Sequence, residues 1–210
     1  MLLFLITSFA RFFDSFVETQ ISTEAYKRVL SDRGAQEPVF DDHDSRIVNE
    51  TLTGTYTYVG SVSGELGIID DPSDVGGLEG FPTVVRDASW DADGDGIADW
   101  WDGSTGGTGY TPLDGFINWM AEPHSYVEPG TSVEIDLRIL AGGFVPPIVF
   151  KVTGAQHGSI SVDGSNATYV AKQTGVERLT FFFTDAEGSS WSRPYGVATF
   201  QNATKILFRS

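Results

Sequence analysis

The second half of the chain alternates apolar and polar side chains. From Ser132, apolar residues at every second position give the period of a strand with one buried face. Further apolar segments follow about every ten residues, separated by turn signals such as Asp163-Gly164 and Glu187-Gly188. The predicted strands are 132–139, 148–152, 158–162, 167–171, 179–184 and 195–200. This spacing is typical of an antiparallel sandwich, so we predict a mainly β protein with its sandwich in residues 124–210.

The first half has helical periodicity instead. Residues 22–34 predict a short helix, with Ser22 as its N-cap and Gly34 at its end. One face of this helix is apolar and predicts the side that packs on the rest of the protein. The residues of that face are Ala25, Tyr26, Val29 and Leu30.

A second helix is predicted to begin near Asp41 or Asp42 and to end at Gly54. Its apolar positions are Ile47, Val48 and Leu52. The connector 54–86 is rich in Gly, Ser, Thr and Asp and contains only two strand-like pieces, 55–59 and 82–86. We therefore predict a helical and irregular segment over residues 21–86.

The first ten residues form an apolar run that is too short to span a bilayer. The run is similar to the apolar core of a signal peptide, although no Lys or Arg precedes it. Two interpretations of residues 1–20 stay open: a signal-like segment, or the first residues of a piece cut from a longer reading frame.

Charge and composition narrow the classes of function. Thirteen Lys and Arg against 29 Asp and Glu leave a net charge of −16, which argues against nucleic-acid partners and against docking on anionic membranes. The chain has no Cys, which excludes disulfides, thiolate metal sites and cysteine nucleophiles. The three His residues lie far apart, and no hydrolase, zinc-protease or P-loop motif occurs. We therefore assign no catalytic residue.

One acidic segment has the spacing of a metal loop. Residues 91–102 read DADGDGIADWWD, with carboxylates at positions 1, 3, 5, 9 and 12 and glycine at position 6. This is the ligand pattern of an EF-hand-type calcium loop, since Ca²⁺ takes six to eight hard oxygens. The predicted ligands are Asp91, Asp93, Asp95, the Ile97 carbonyl, Asp99 and Asp102. The alternative is a solvated acidic turn, which would leave the carboxylates repelling one another.

A further helix is predicted over 112–121, with Thr111 as N-cap, so the calcium loop and its helix occupy residues 87–123. We predict that Trp100, Trp101 and Trp119 pack this loop and helix together. A second aromatic group, Trp191 and Tyr195 with Arg193 between them, is a candidate platform for an acidic polysaccharide. The competing interpretation is that Trp191 fills the sandwich core.

Three parts of the chain resemble known families. DADGDGIADWWD followed by GYTPLDGFINWM is similar to the calcium-binding linkers of secreted bacterial proteins, including thrombospondin type 3-like and dockerin-like segments. EAYKRVLSDRGAQEP and DDHDSRIVNETLTGT, followed by the Asp loop, resemble the tail that follows the β-helix of bacterial pectate lyases. The region 157–200 looks like a bacterial immunoglobulin- or cadherin-like accessory module.

The resemblance implies a lyase-associated tail from a secreted or cell-surface bacterial protein. It does not imply lyase activity in this chain, because no position here matches that family's catalytic residues. We therefore expect a non-catalytic, calcium-binding accessory region that attaches to a pectin-like acidic polysaccharide. Two alternatives remain open: a small carbohydrate-active enzyme, and an adhesion or anchoring module with a protein partner.

Overall fold

A computed structural model describes residues 19–33, 41–78, 83–203 and 207–209. The α-helices in these ranges are α1 (Ser22–Ser31), α2 (Asp42–Thr53) and α3 (Pro112–Met120). The strands are β1 (Thr83–Val85), β2 (His124–Val127), β3 (Ser132–Asp136), β4 (Val149–Thr153), β5 (Gly158–Asp163), β6 (Asn166–Ala171), β7 (Gly175–Thr184), β8 (Ser190–Thr199) and β9 (Leu207–Arg209). Short 3₁₀ helices lie at Pro72–Val75 and Leu137–Ala141.

Seven of these strands form a sandwich. One sheet has the order β2-β8-β7-β4, with β2 parallel to β8 and the other pairs antiparallel. The other sheet has the order β3-β6-β5 and is antiparallel throughout. Strands β1 and β9 pair separately as an antiparallel ribbon. Seven strands in sheets of three and four give an immunoglobulin-like sandwich, so the predicted fold class, mainly β with short helices before the sandwich, is confirmed.

The core of the sandwich lies between the two sheets. On β7, the side chains of Leu179, Phe181 and Phe183 are almost fully buried and alternate with more exposed neighbours. Tyr169 on β6 and Ile135 on β3 meet them from the opposite sheet. This is the inward and outward alternation that the period of two predicted.

The strand boundaries differ from the prediction: β7 begins at Gly175 and β8 at Ser190, earlier than the predicted 179 and 195. The strand predicted over 132–139 ends at Asp136, whose carboxylate accepts the backbone N–H of Arg138 at 3.0 Å and begins a 3₁₀ turn. Leu137 and Leu140 still reach the core from this turn, so their apolar pattern reflects burial and not strand structure. Strand β2 was not predicted, because four residues directly after Pro123 are too few to show a period.

Helix α1 begins at Ser22 as predicted, but Ile21 is its N-cap and no side chain caps it, so the assignment of Ser22 as N-cap is wrong. The predicted end at Gly34 lies outside the described residues. Of the predicted apolar face only Leu30 is buried, whereas Val29 is 64% exposed. The buried residues of α1 are Lys27, Leu30 and Ser31.

Lys27 explains this difference. Its ammonium donates to Asp185 at 2.6 Å, to Glu187 at 2.7 Å and to the hydroxyl of Ser189 at 2.8 Å, all at the turn between β7 and β8. The helix backbone also approaches Gly143 so closely that a Cβ there would lie 2.4 Å from the Lys27 carbonyl oxygen. Helix α1 is therefore docked on one end of the sandwich through a buried ion pair and a close backbone contact.

Helix α2 agrees with its prediction. The Asp41 carboxylate caps it by accepting the N–H of Asp44 at 2.7 Å, and Gly54 ends it with φ +65°. Val48 is buried, whereas Ile47 and Leu52 are about half exposed. The apolar run predicted as signal-like lies within residues 1–18, outside the described residues. Among the residues that are described, no helix combines the length and the hydropathy that crossing a bilayer requires.

Candidate metal centre

The acidic loop is folded around the carboxylate of Asp91. One oxygen of Asp91 accepts the backbone N–H groups of Gly94 at 2.9 Å and Asp95 at 3.1 Å, and the other accepts Gly96 N–H at 3.0 Å. Gly94 and Gly96 both adopt left-handed backbone conformations, with φ +74° and +87°, which residues other than Gly rarely adopt. Local hydrogen bonds therefore give this loop its tight curvature.

Three of the predicted metal ligands converge. Carboxylate oxygens of Asp91, Asp93 and Asp99 all lie within 4.8 Å of one another. Asp99 closes the loop, because its N–H donates to the carbonyl of Trp90 at 2.7 Å and its carboxylate accepts Ala92 N–H at 3.1 Å. Oxygens up to about 5 Å apart can share one Ca²⁺ whose ligand distances are about 2.3–2.6 Å. We call Asp91, Asp93 and Asp99 the acidic trio.

The other predicted ligands, Asp95, Ile97 and Asp102, lie outside the trio. The Asp95 carboxylate accepts Ile97 N–H at 2.8 Å, and both residues line a surface depression of about 340 Å³ together with Asp93 and Asp99. Asp102 accepts Ser104 N–H at 2.9 Å, which engages this carboxylate in the following turn. The chain thus offers three convergent carboxylates, with Asp95 and the Ile97 residue at the same depression.

The Trp residues of the loop and of α3 pack as predicted. Trp100 lies 5.3 Å from Trp119, and Trp101 lies 5.7 Å from Phe116, in both cases between ring centroids. Since Phe116 and Trp119 belong to α3, the loop and the helix share one aromatic cluster. The prediction for Trp100, Trp101 and Trp119 is confirmed.

The cluster continues onto the outer face of the four-stranded sheet, a connection that was not predicted. Trp119 is 2% exposed and lies against Gly196 of β8, where a Cβ would come within 2.5 Å of the indole. His124 of β2 lies 4.9 Å from Trp119, and Trp100 stacks on Phe200 at 5.3 Å with the ring planes 8° apart. The only hint in the sequence is that His124 and Tyr126 share one face of β2. The acidic loop is therefore fixed to the sandwich.

His124 is held neutral by this packing. Burial lowers its pKa below the ordinary 6.5, against the opposing effect of its hydrogen bond to the backbone of Glu122. Its Nδ1 lies 2.8 Å from the Glu122 carbonyl oxygen, and its Nε2 lies 3.0 Å from the Tyr126 hydroxyl. Both ring nitrogens are thus engaged inside the protein, which suits a structural role.

The predicted glycan platform at Trp191, Arg193 and Tyr195 is wrong. Arg193 and Tyr195 are only 4% and 3% exposed. The guanidinium donates to the Ser31 carbonyl and to Asp32, and the Tyr195 hydroxyl hydrogen-bonds the Ser125 hydroxyl at 2.7 Å.

The register of the sheet gives the reason. Arg193 pairs with Phe181 and Trp191 pairs with Phe183, so both lie on the face of β8 that the core covers. Trp191 is half-buried and packs against that core, as its competing interpretation held. Helix α1 then covers Arg193, so the Arg193 guanidinium is not available to a uronate.

Comparisons with known proteins found only partial structural similarities. No family model matches the chain, and no curated protein matches it. Among solved structures, the PKD domain of the KIAA 1837 protein is 17% identical, with a TM-score of 0.30 over 37% of this chain and 79% of that one. A nucleoside hydrolase-related protein from Saccharophagus degradans is 15% identical, with a TM-score of 0.29 over 39% of this chain and 23% of that one. Listeria monocytogenes InlP is 21% identical, with a TM-score of 0.24 over 38% of this chain and 26% of that one. The chain thus spans about a quarter of the last two proteins.

Proposed function

We propose that this chain is a calcium-stabilised, non-catalytic accessory module of a secreted, polysaccharide lyase-like protein. The observation that carries the proposal is the convergence of Asp91, Asp93 and Asp99 within 4.8 Å, in a loop packed on the sandwich. Three carboxylates at this separation repel one another unless a cation lies between them. A bound cation would therefore stabilise the folded loop directly.

The donors favour Ca²⁺ over other cations. Carboxylate oxygens are hard ligands, and the chain has no Cys to offer a softer metal. The oxygens come from an irregular loop with two left-handed glycines, and not from a rigid octahedral cage. Ca²⁺ accepts variable geometry and coordination number, whereas Mg²⁺ demands a small octahedral shell and retains water.

The role of the ion follows from what is attached to the loop. Asp99 donates a backbone hydrogen bond to Trp90 and directly precedes Trp100. The indoles of Trp90 and Trp100 both pack against Phe200, just beyond the end of β8. An ion that holds Asp99 would thereby hold both Trp residues on the sandwich. The module would then act as a stiff connector that sets the position of the sandwich relative to the segment before the loop.

The link to a parent lyase is supported by the resemblance of the helical segment and the Asp loop to pectate lyase tails. Attachment to an acidic polysaccharide, as first expected, would have to use residues other than Arg193 and Tyr195, which are buried. Connector function does not require that attachment.

Calcium titration tests the proposal. Isothermal calorimetry should give one site with a Kd of about 10⁻⁴–10⁻³ M, the range of extracellular loops. At a hundredfold excess over Kd, the ion should add about 2.7 kcal/mol to the free energy of unfolding and raise the melting temperature. Asp93→Asn should weaken binding about tenfold or more, since it removes one charged ligand. Asp93 is the best position because its one hydrogen bond within the loop, from Asp95 N–H, is long at 3.3 Å.

The matched control is Asp163→Asn, which removes the same charge from an exposed hairpin turn and should leave calcium affinity unchanged. Asp102→Asn then tests the ligand set: weaker binding supports the full EF-hand spacing, and unchanged binding supports the acidic trio. No heat of binding, together with equal melting temperatures in calcium and in EDTA, would refute the proposal.

A further inference from the structure

A second feature lies between the acidic loop and the end of β8. Here the chain forms a cleft of about 240 Å³, which we call the aromatic cleft. Its walls include the rings of Trp90, Trp100 and Phe200, and its rim includes Asp99, Gln201 and Asn202. Small-molecule sites usually combine apolar walls with a few polar groups. The volume suits one small ring and no larger ligand.

The polar groups of the cleft are of mixed type. The carboxylates of Asp87 and Asp99 are acceptors only. The amides of Gln201 and Asn202 are both donors and acceptors, and both residues are exposed. A ligand that fits must therefore donate hydrogen bonds to the carboxylates and can both donate to and accept from the amides.

From this we propose that the aromatic cleft binds a neutral saccharide ring. Hydroxyl groups both donate and accept, so one ligand type can satisfy the carboxylates and the amides together. The C–H faces of a sugar ring suit the indole and phenyl walls. A uronate or other anion would meet the carboxylates of Asp87 and Asp99, and an organic cation would offer no acceptor to the amides of Gln201 and Asn202.

The cleft is formed before any ligand arrives. Trp100 and Phe200 stack with their ring planes 8° apart, and Ala203 just beyond the rim is 3% exposed. Asn202 has φ +63° and is the one residue other than Gly with a left-handed backbone in the described ranges. Such a conformation is unfavourable for Asn relative to Gly, and here it carries an amide at the rim of the cleft. A rigid site loses less entropy on binding.

This inference goes beyond the proposed function and does not depend on the calcium ion. Asp99 belongs to both features, so binding is measured in calcium and in EDTA. A saccharide bound in both buffers supports the cleft whatever the outcome for the metal. Calcium binding without saccharide binding refutes the cleft and leaves the connector proposal standing.

The experiment is a ¹H–¹⁵N NMR titration of the full chain. The probes are methyl β-D-glucopyranoside, methyl β-D-galactopyranoside and methyl α-D-mannopyranoside, with D-galacturonate and tetramethylammonium chloride as charged comparators. At least one neutral glycoside should shift the Trp100 indole N–H resonance, with a Kd of about 1 mM for a ligand of this size. Galacturonate should bind more weakly than the neutral glycosides.

The decisive variant is Asn202→Gly. Glycine accepts the left-handed backbone, so the change removes the amide without strain, and saccharide affinity should fall about fivefold. The matched control Asn118→Ala removes an exposed amide from α3 and should bind as the wild type does. The proposal is overturned if no neutral glycoside shifts Trp100 up to about 20 mM, well above the expected Kd. Binding of galacturonate or tetramethylammonium at least as tight, or unchanged affinity in Asn202→Gly, also overturns it.

Discussion

The contact between Trp119 and Gly196 fixes the acidic loop and α3 to the sandwich and can be tested with one methyl group. In Gly196→Ala, the new Cβ would lie 2.5 Å from Cε2, 2.6 Å from Cζ2 and 2.8 Å from Nε1 of Trp119. Ordinary carbon contacts are about 3.5–4.0 Å, so the indole must move by about 1 Å. Trp119 is 2% exposed and packed by Trp100 and His124, which leaves it little room.

The magnitude follows from two opposing effects. Overpacking of a filled interior costs about 1–3 kcal/mol. Replacing Gly by Ala in a strand recovers about 0.5–1 kcal/mol, because the unfolded chain loses freedom. From the middle of each range, we expect Gly196→Ala to lower the free energy of unfolding by about 1 kcal/mol. Urea denaturation followed by circular dichroism and Trp fluorescence measures this change.

Two further variants make this test specific. Gly107→Ala is the matched control, because its Cβ would meet only the Tyr110 ring at 3.4 Å, and its stability should stay within about 0.5 kcal/mol of wild type. In a Trp119→Leu background, Gly196→Ala should no longer destabilise, since the clashing ring is gone. A wild-type unfolding midpoint for Gly196→Ala, or the same loss in both backgrounds, would refute the contact.

Two other predictions concern buried polar groups. Lys27→Met should lower the melting temperature and expose α1 to proteolysis, because it leaves the buried Asp185 carboxylate without its cation. Lys151→Met, at an exposed position, should do neither, and equal melting curves for the two variants would contradict the prediction. The free energy of unfolding should fall as pH drops below about 6.5, by up to about 1.4 kcal/mol per pH unit, because His124 stays neutral when folded but binds a proton when unfolded. Below the folded pKa of His124 this loss should stop, and in His124→Phe the change near pH 6 should disappear; an unchanged pH profile in that variant would assign the titration elsewhere.

Local features of the chain could be predicted from the sequence because they depend on neighbouring residues alone. The end of α2 at Gly54 follows from a left-handed backbone that Gly accepts without cost. The acidic trio follows from the short spacing of Asp91, Asp93 and Asp99, which a tight turn of glycines brings together. The strand over 179–184 was predicted from an apolar run that a turn signal follows, and these residues lie in β7. In each case the determining contacts lie within about ten residues along the chain.

What the tertiary structure alone decided is where polar side chains find their partners. From the sequence, Lys27 would be placed on the exposed face of a helix. In the structure it is buried, because Asp185, 158 positions away, supplies its counter-ion. Arg193 is a natural ligand for an acidic sugar until its pairing with Phe181 turns it inward, toward Asp32. The aromatic cleft needs both Trp100 and Phe200. These residues are far apart in the sequence, and only the folding of the sandwich brings them into contact. A charged or aromatic side chain is equally compatible with solvent and with a paired interior, so only the long-range packing of the strands could determine its place.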